Sequence, residues 1–351
     1  MTSPPISDSA LPIVCAEEAV VVPPPETTSD SMQEYSEKVA QFLVIARNRT
    51  VNEGEDFLEG LSSARGVLVK EFGGKEITLQ TLDKESINGL HFEGAQKKGI
   101  IYLHGNGGFY ETSAQKPLDW VRALKQTATG GIATFPHLVV FNPRGTGKSE
   151  GVTHPENVAR DMLAAFEYLV NKHAIDPSDI VIVGHSLGGF FGAFGAELVQ
   201  QTFPDSKINF ISDRSYSDIH SRVDSLIKYW NNSGIVNPIF SSNMHALITL
   251  LNWNKNPVAA LEKLKGRVCI IYHKGDGVIP YHTSLHLAIT NAKRTRNYSC
   301  LSLKEEQGAV GAHNRLFTEE EHNKVIAEMK KMLGIPFAEE EKLGLDVLAI
   351  D

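Results

Sequence analysis

The sequence predicts an α/β fold: a mostly parallel sheet with helices on both faces and a helical lid insertion. Three observations predict it. Short, almost wholly apolar runs recur at Gly99 to Leu103, Leu138 to Phe141, Ile180 to Val183, Ile208 to Ile211 and Val268 to Tyr272, and such continuous runs mark strands buried on both faces. Helical stretches lie between several of them, notably about Glu156 to Asn171 and Leu187 to Thr202, which gives the β-α-β alternation of a covered parallel sheet. About fifty residues separate the strands at Ile208 to Ile211 and Val268 to Tyr272, more than a simple crossover needs.

Taken in chain order, the first ~30 residues carry Pro4, Pro5, Pro12 and Pro23-Pro24-Pro25 among Ser, Thr and acids, the composition of a disordered leader. From about Asp30, Tyr35, Val39, Phe42, Leu43 and Ala46 recur at helical spacing, so one amphipathic helix precedes the core, as packing or as a docking element. Glu76 to Leu82 and Ile87 to Phe92 read as an early antiparallel pair. The main α/β domain is expected over 31–335, with the lid insertion at about 219–260. A last strand is expected at Tyr298 to Leu303 and a helix from near Thr318, followed by an acidic tail at 336–351 that contains Glu339-Glu340-Glu341.

Composition narrows the function. A chain of 351 residues, 42% hydrophobic and 22% charged, can bury a large core, and its net charge of -8 disfavours nucleic acid and anionic lipid as partners. Cys15, Cys269 and Cys300 are an odd set without metal-ligand spacing, which fits a reducing, cytoplasmic setting. No Lys or Arg precedes Lys38, so a secretory signal is not expected, and no apolar run reaches the ~20 residues of a membrane span.

The chemistry centres on Ser186. Ile180 to Val183 leads directly into Gly184-His185-Ser186-Leu187-Gly188-Gly189, a G-x-S-x-G turn between a buried strand and a helix. Such a turn lifts the hydroxyl clear of the sheet, and the helix N-terminus favours developing negative charge. A serine hydroxyl needs a base and a group that orients the base. Asp276, after the strand Val268 to Tyr272, is the candidate acid, with Asp213 as its rival. His313, in the loop Gly311-Ala312-His313-Asn314, is the candidate base; His273 and His322 lack the required order and loop setting. The N–H of Leu187 is the first expected oxyanion donor. The second comes from His104-Gly105-Asn106-Gly107-Gly108, with Asn106 preferred and Gly107 next. Asn142-Pro143-Arg144-Gly145-Thr146-Gly147-Lys148-Ser149 fails as a phosphate loop, because Asn142 stands where that loop needs glycine, and reads instead as a turn braced by Arg144. No local motif points to a metal or other cofactor.

With these residues in place, the chain resembles the α/β-hydrolase superfamily from about Gly66 to Leu333. His104-Gly105-Asn106-Gly107, Asn142-Pro143-Arg144-Gly145 and the Ser186 turn resemble the serine aminopeptidase, monoacylglycerol lipase and depalmitoylase-like branch. Asp213-Arg214-Ser215-Tyr216-Ser217 and Ile279-Pro280-Tyr281 are similar to uncharacterised hydrolase-like proteins of Chlamydia and Legionella. The resemblance implies the α/β-hydrolase fold and a serine hydrolase. Lys274-Gly275 before the acid and Asn142 before the Arg-Gly turn depart from the common pattern and leave the substrate class open.

The insertion is apolar. Tyr229, Trp230, Ile235, Ile239, Phe240, Leu247, Ile248, Leu250, Leu251 and Trp253 suit an acyl-binding wall, for which Trp230, Leu247 and Leu251 are the chosen residues. The expected reaction is hydrolysis of an acyl ester or thioester through an acyl-enzyme, with a small-molecule acyl partner. The alternatives are a peptidase, for which Asp218 and Asp224 are the candidate amine anchors, and a catalytically silent binding protein that docks through leader and tail.

Overall fold

The computed structural model describes residues 29–337 apart from 129–130, 222, 225–237, 293–296 and 305–310. Residues 1–28 of the expected leader, most of the acidic tail, and Tyr229, Trp230 and Ile235 lie outside the described residues. Among those described, one sheet holds eight strands: β1 (Gly74–Gln80), β2 (Ser86–Phe92), β3 (Gly99–Leu103), β4 (His137–Phe141), β5 (Ile180–His185), β6 (Asn209–Asp213), β7 (Val268–Tyr272) and β8 (Tyr298–Ser302). Their order across the sheet is β1-β2-β4-β3-β5-β6-β7-β8. The β1–β2 and β2–β4 pairs are antiparallel, and the pairs from β4 to β8 are parallel.

Alternate residues of the central strands enter two different cores, because side chains along a strand point to opposite faces. On one face Ile101, Val139, Ile182, Phe210 and Ile270 meet the helices α1 (Ser29–Leu43), α5 (Pro155–Glu167) and α6 (Leu187–Thr202). On the other, Ile100, Val140, Val183, Ile211 and Ile271 meet α3 (Gly54–Phe72), α4 (Gln115–Ala123) and α8 (Glu319–Leu333). Pro155 pre-sets the first turn of α5. Thr318 and Glu321 close a capping box at the start of α8, and Gly334 ends that helix with a left-handed φ of 61°.

Three details differ from the sequence reading. The segment before the sheet holds α1, α2 (Ile45–Asn52) and the long α3 rather than one helix. The inward stripe of α3 is Leu61, Arg65 and Leu68, so an arginine interrupts the apolar signal. The helix expected to reach Asn171 gives way at Glu167 to a π-helical turn, Tyr168–Lys172. The strand expected at Ile208 to Ile211 is instead Asn209–Asp213, so Asp213 is the last residue of β6. No helix among the described residues is long and apolar enough to cross a membrane.

Candidate active site

Ser186 sits between β5 and α6 with φ 53° and ψ -119°, a conformation that costs a residue with a side chain about 1–3 kcal/mol. The surroundings hold it there. Its N–H donates to the Asp213 carbonyl (2.8 Å), and its own carbonyl accepts from Gly189 (2.9 Å) and Phe190 (3.2 Å). The flanking glycines are steric necessities. A Cβ on Gly184 would lie 2.3 Å from the Gly188 carbonyl oxygen, and one on Gly188 would lie 2.3 Å from that of Leu103.

His313 and Asp276 converge on this hydroxyl from 127 and 90 residues downstream. His313 Nε2 lies 2.9 Å from Ser186 Oγ, and His313 Nδ1 lies 2.7 Å from Asp276 Oδ2. The other carboxylate oxygen, Oδ1, accepts the N–H groups of Val278 (2.8 Å) and Ile279 (2.9 Å). Burial alone raises the Asp276 carboxyl, but the bonds from His313 and the two amides outweigh it and hold the pKa below the ordinary carboxylate value. All three side chains are buried.

The loop after β3 lies against the serine. A Cβ on Gly105 would meet Ser186 Cβ at 3.1 Å, so the glycine lets the backbone approach the hydroxyl. The loop closes with the N–H of Gly108 on the Gly105 carbonyl (3.1 Å). Asn106 is fixed from outside: its Oδ1 accepts the Ile45 N–H (2.7 Å) and its Nδ2 donates to the Leu43 carbonyl (2.8 Å). These two bonds span the break between α1 and α2, where Val44 is extended. Leu187 opens α6, so its N–H has no intrahelical acceptor.

A sequence model of the alpha/beta hydrolase family matches residues 100–241, which takes in the loop after β3 and the Ser186 turn. The chain has the α/β-hydrolase fold, and its residues 100–241 are similar in sequence to that family. The multifunctional-autoprocessing repeats-in-toxin protein of Vibrio cholerae is 36% identical over 92 residues, covering 26% of this chain and 2% of the toxin. The phosphatidylserine lipase ABHD16A of Homo sapiens is 27% identical over 158 residues, covering 43% of this chain and 25% of the lipase. The matches thus span no more than about a quarter of these relatives' length. Among solved structures, an alpha-beta hydrolase from Vibrio vulnificus aligns with a TM-score of 0.58 at 17% identity, covering 88% of this chain and 94% of that one. An esterase of Pyrococcus furiosus aligns at 0.57 with 16% identity, covering 76% and 94%. At these identities the structural likeness is one of fold.

The rival acid Asp213 is engaged elsewhere. Its carboxylate meets Lys116 Nζ (2.6 Å), Arg214 Nε (2.8 Å) and His185 Nδ1 (2.9 Å). Arg214 in turn donates to the carbonyls of Ala312 (2.8 Å) and Arg315 (3.1 Å), on either side of His313. Sequence reasoning missed this brace of the histidine loop; the adjacent Asp213-Arg214 pair at a strand's C-terminal end was its only trace. Arg144 does brace its turn, reaching Asp161 (2.7 Å) and Asp83 (2.7 Å).

Of the residues chosen for the acyl wall, Leu247 and Leu251 lie on or just after helix α7 (Pro238–Leu250), and Trp230 lies outside the described residues. Leu247 is 1% exposed and belongs to the same apolar cluster as Leu187, Phe109 and Leu43, while Leu251 packs half-buried against it. Asp218 is engaged by Ser221, through its N–H (2.8 Å) and its hydroxyl (2.7 Å), and Asp224 by His245 (2.7 Å).

Proposed function

We propose that this α/β-hydrolase is a serine hydrolase that cleaves an acyl ester or thioester, with Ser186 as nucleophile, His313 as general base and Asp276 as the group that orients the base. The observation that carries the reading is the continuous chain of contacts from Asp276 Oδ2 through His313 to Ser186 Oγ, 2.7 and 2.9 Å long. Oγ attacks the acyl carbonyl carbon while His313 Nε2 takes its proton. The carbonyl electrons move to oxygen, where the N–H groups of Leu187 and Asn106, with Gly107 next to them, receive the charge. Collapse expels the alcohol or thiol, which leaves with the proton from His313. Water then adds to the acyl-serine, again deprotonated by His313, and the free acid departs as Oγ recovers its proton.

The apolar make-up of the insertion, in which Leu251 is half-buried, favours an acyl chain over a peptide, as does the engagement of Asp218 and Asp224 by neighbouring side chains. The relative named as a phosphatidylserine lipase supports an ester as the bond broken. The test is a series of p-nitrophenyl esters run beside aminoacyl p-nitroanilides. The reading expects octanoate to exceed acetate in kcat/KM and the anilides to be inert. Preference for acetate removes the acyl wall, and preference for the anilides makes the protein a peptidase.

A further inference from the structure

At the end of the sheet opposite Ser186, three imidazoles converge. His91 is the penultimate residue of β2, His137 opens β4, and His173 follows the π-helical turn at Tyr168–Lys172. Because β2 and β4 run antiparallel, the end of one lies beside the start of the other, with Phe92 level with Leu138. His137 is level with Gly99, and Gly99 with Ile180 at the start of β5. The length of β5 therefore separates this cluster from Ser186, about 20 Å at ~3.3 Å per residue.

One ring nitrogen from each histidine lies within 4.8 Å of the others. His91 Nε2 and His137 Nδ1 are 3.0 Å apart, close to the spacing of about 3.3 Å that a tetrahedral ion with ~2.0–2.1 Å metal–nitrogen bonds imposes on its ligands. His91 and His137 are buried, and Nε2 of His173 is buried with no hydrogen-bond partner among the described residues. The Tyr168 hydroxyl stands 3.1 Å from His91 Nδ1. π-Helical turns are rare and recur at functional sites, and this one delivers both Tyr168 and His173 to the cluster.

We propose that His91, His137 and His173 form a three-histidine site for a divalent transition cation of the Zn²⁺ class, separate from the hydrolase centre. The protons balance without release. When His91 Nε2 gives its lone pair to the metal, its proton moves to Nδ1 and donates to the Tyr168 oxygen, an outer contact of the kind that orients metal-bound imidazoles. His137 ligates through Nδ1 and keeps its proton on Nε2. Burial, followed by the neighbouring imidazoles, pushes His91 down to about 3 and His137 down to about 4, and burial also lowers His173. Facing them are the Glu93 carboxylate, which is paired with Lys75, and the Lys97 amine on the His173 carbonyl (2.7 Å). Glu93 is the carboxylate whose charge acts on all three rings, and water can complete the coordination.

The test is titration of the untagged, chelator-stripped full chain with Zn²⁺ by calorimetry and with Co²⁺ by visible absorption. One equivalent is expected to bind, with the intense d–d band of four-coordinate Co²⁺ and a higher thermal midpoint in Zn²⁺. His137→Phe should weaken binding by more than about 100-fold and Tyr168→Phe by about 10-fold, whereas His245→Ala should leave it unchanged. Absence of saturable binding to the wild-type chain overturns the proposal, as does Co²⁺ binding that survives in a folded His137→Phe. If His137→Phe fails to fold, Tyr168→Phe decides: unchanged affinity there removes the site.

Discussion

Replacing Asp276 by Asn tests the role given to the carboxylate, and the local geometry dictates which way the new amide must face. Oδ1 of Asp276 receives two backbone N–H groups, from Val278 and Ile279, while Oδ2 faces His313 Nδ1. An amide nitrogen placed at the first position would meet two donors and lose two hydrogen bonds, each costing about 1–3 kcal/mol when buried. The amide oxygen therefore stays with the backbone, and the NH₂ points at His313. It donates to Nδ1, which drives the imidazole proton to Nε2, where it faces Ser186 Oγ and can no longer accept. The base is present but in the wrong tautomer. The expected loss is about 10³–10⁴ in kcat, or ~4–5.5 kcal/mol of barrier, with KM little changed. Steady-state kinetics on a p-nitrophenyl ester measure it, with circular dichroism to establish that the variant is folded. A folded Asp276→Asn within tenfold of wild type would refute the reasoning, and would point to Asp213 if Asp213→Asn were then inactive.

Two further outcomes follow from the geometry. Asn106→Ala keeps the backbone N–H proposed for the oxyanion but removes both side-chain bonds to the α1–α2 junction, so kcat should fall about tenfold, ~1.4 kcal/mol, while Ser186 remains reactive; unchanged kcat would show that the loop needs no such brace. Glu321 is buried, which raises its carboxyl, but the Arg315 guanidinium and the N–H groups of Thr318 and Lys304 bring it down to about 2. A carboxyl whose folded pKa is depressed stabilises above its unfolded value near 4.3 and loses that contribution as pH falls toward 2. Glu321→Gln should therefore melt well below wild type at pH 7, with the two converging by about pH 2; a gap independent of pH would contradict the assignment.

The layered fold was legible because burial on both faces writes itself into the chain as unbroken apolar runs. Val268–Tyr272 and Gly99–Leu103 stand in the structure at the bounds read from sequence. Ser186 was legible for a steric reason, since only glycine fits at 184 and 188 against carbonyls 2.3 Å from a Cβ. Asp276 and His313 could be chosen only by chain order and loop setting, and the fold brings their side chains to the hydroxyl. The rest depended on contacts that sequence spacing does not carry. α3 was missed because its inward stripe includes Arg65, which becomes buriable through Glu111 (2.5 Å) and the Tyr110 hydroxyl (2.6 Å). The clamp of Asn106 on Leu43 and Ile45 reaches across 61 to 63 residues, and the assembly of His91, His137 and His173 relies on an antiparallel register and a π-helical turn. Asn and His have no periodicity of their own, so a polar residue that meets its partner through tertiary packing leaves no local trace.

The most direct measurement is mass spectrometry of the full chain after reaction with a fluorophosphonate probe. The account predicts a single phosphonyl adduct on the peptide bearing Ser186, formed rapidly in wild type, slowed severely in His313→Ala and lost in Ser186→Ala. No adduct on folded wild-type protein, or an adduct on another residue that persists in Ser186→Ala, would contradict it.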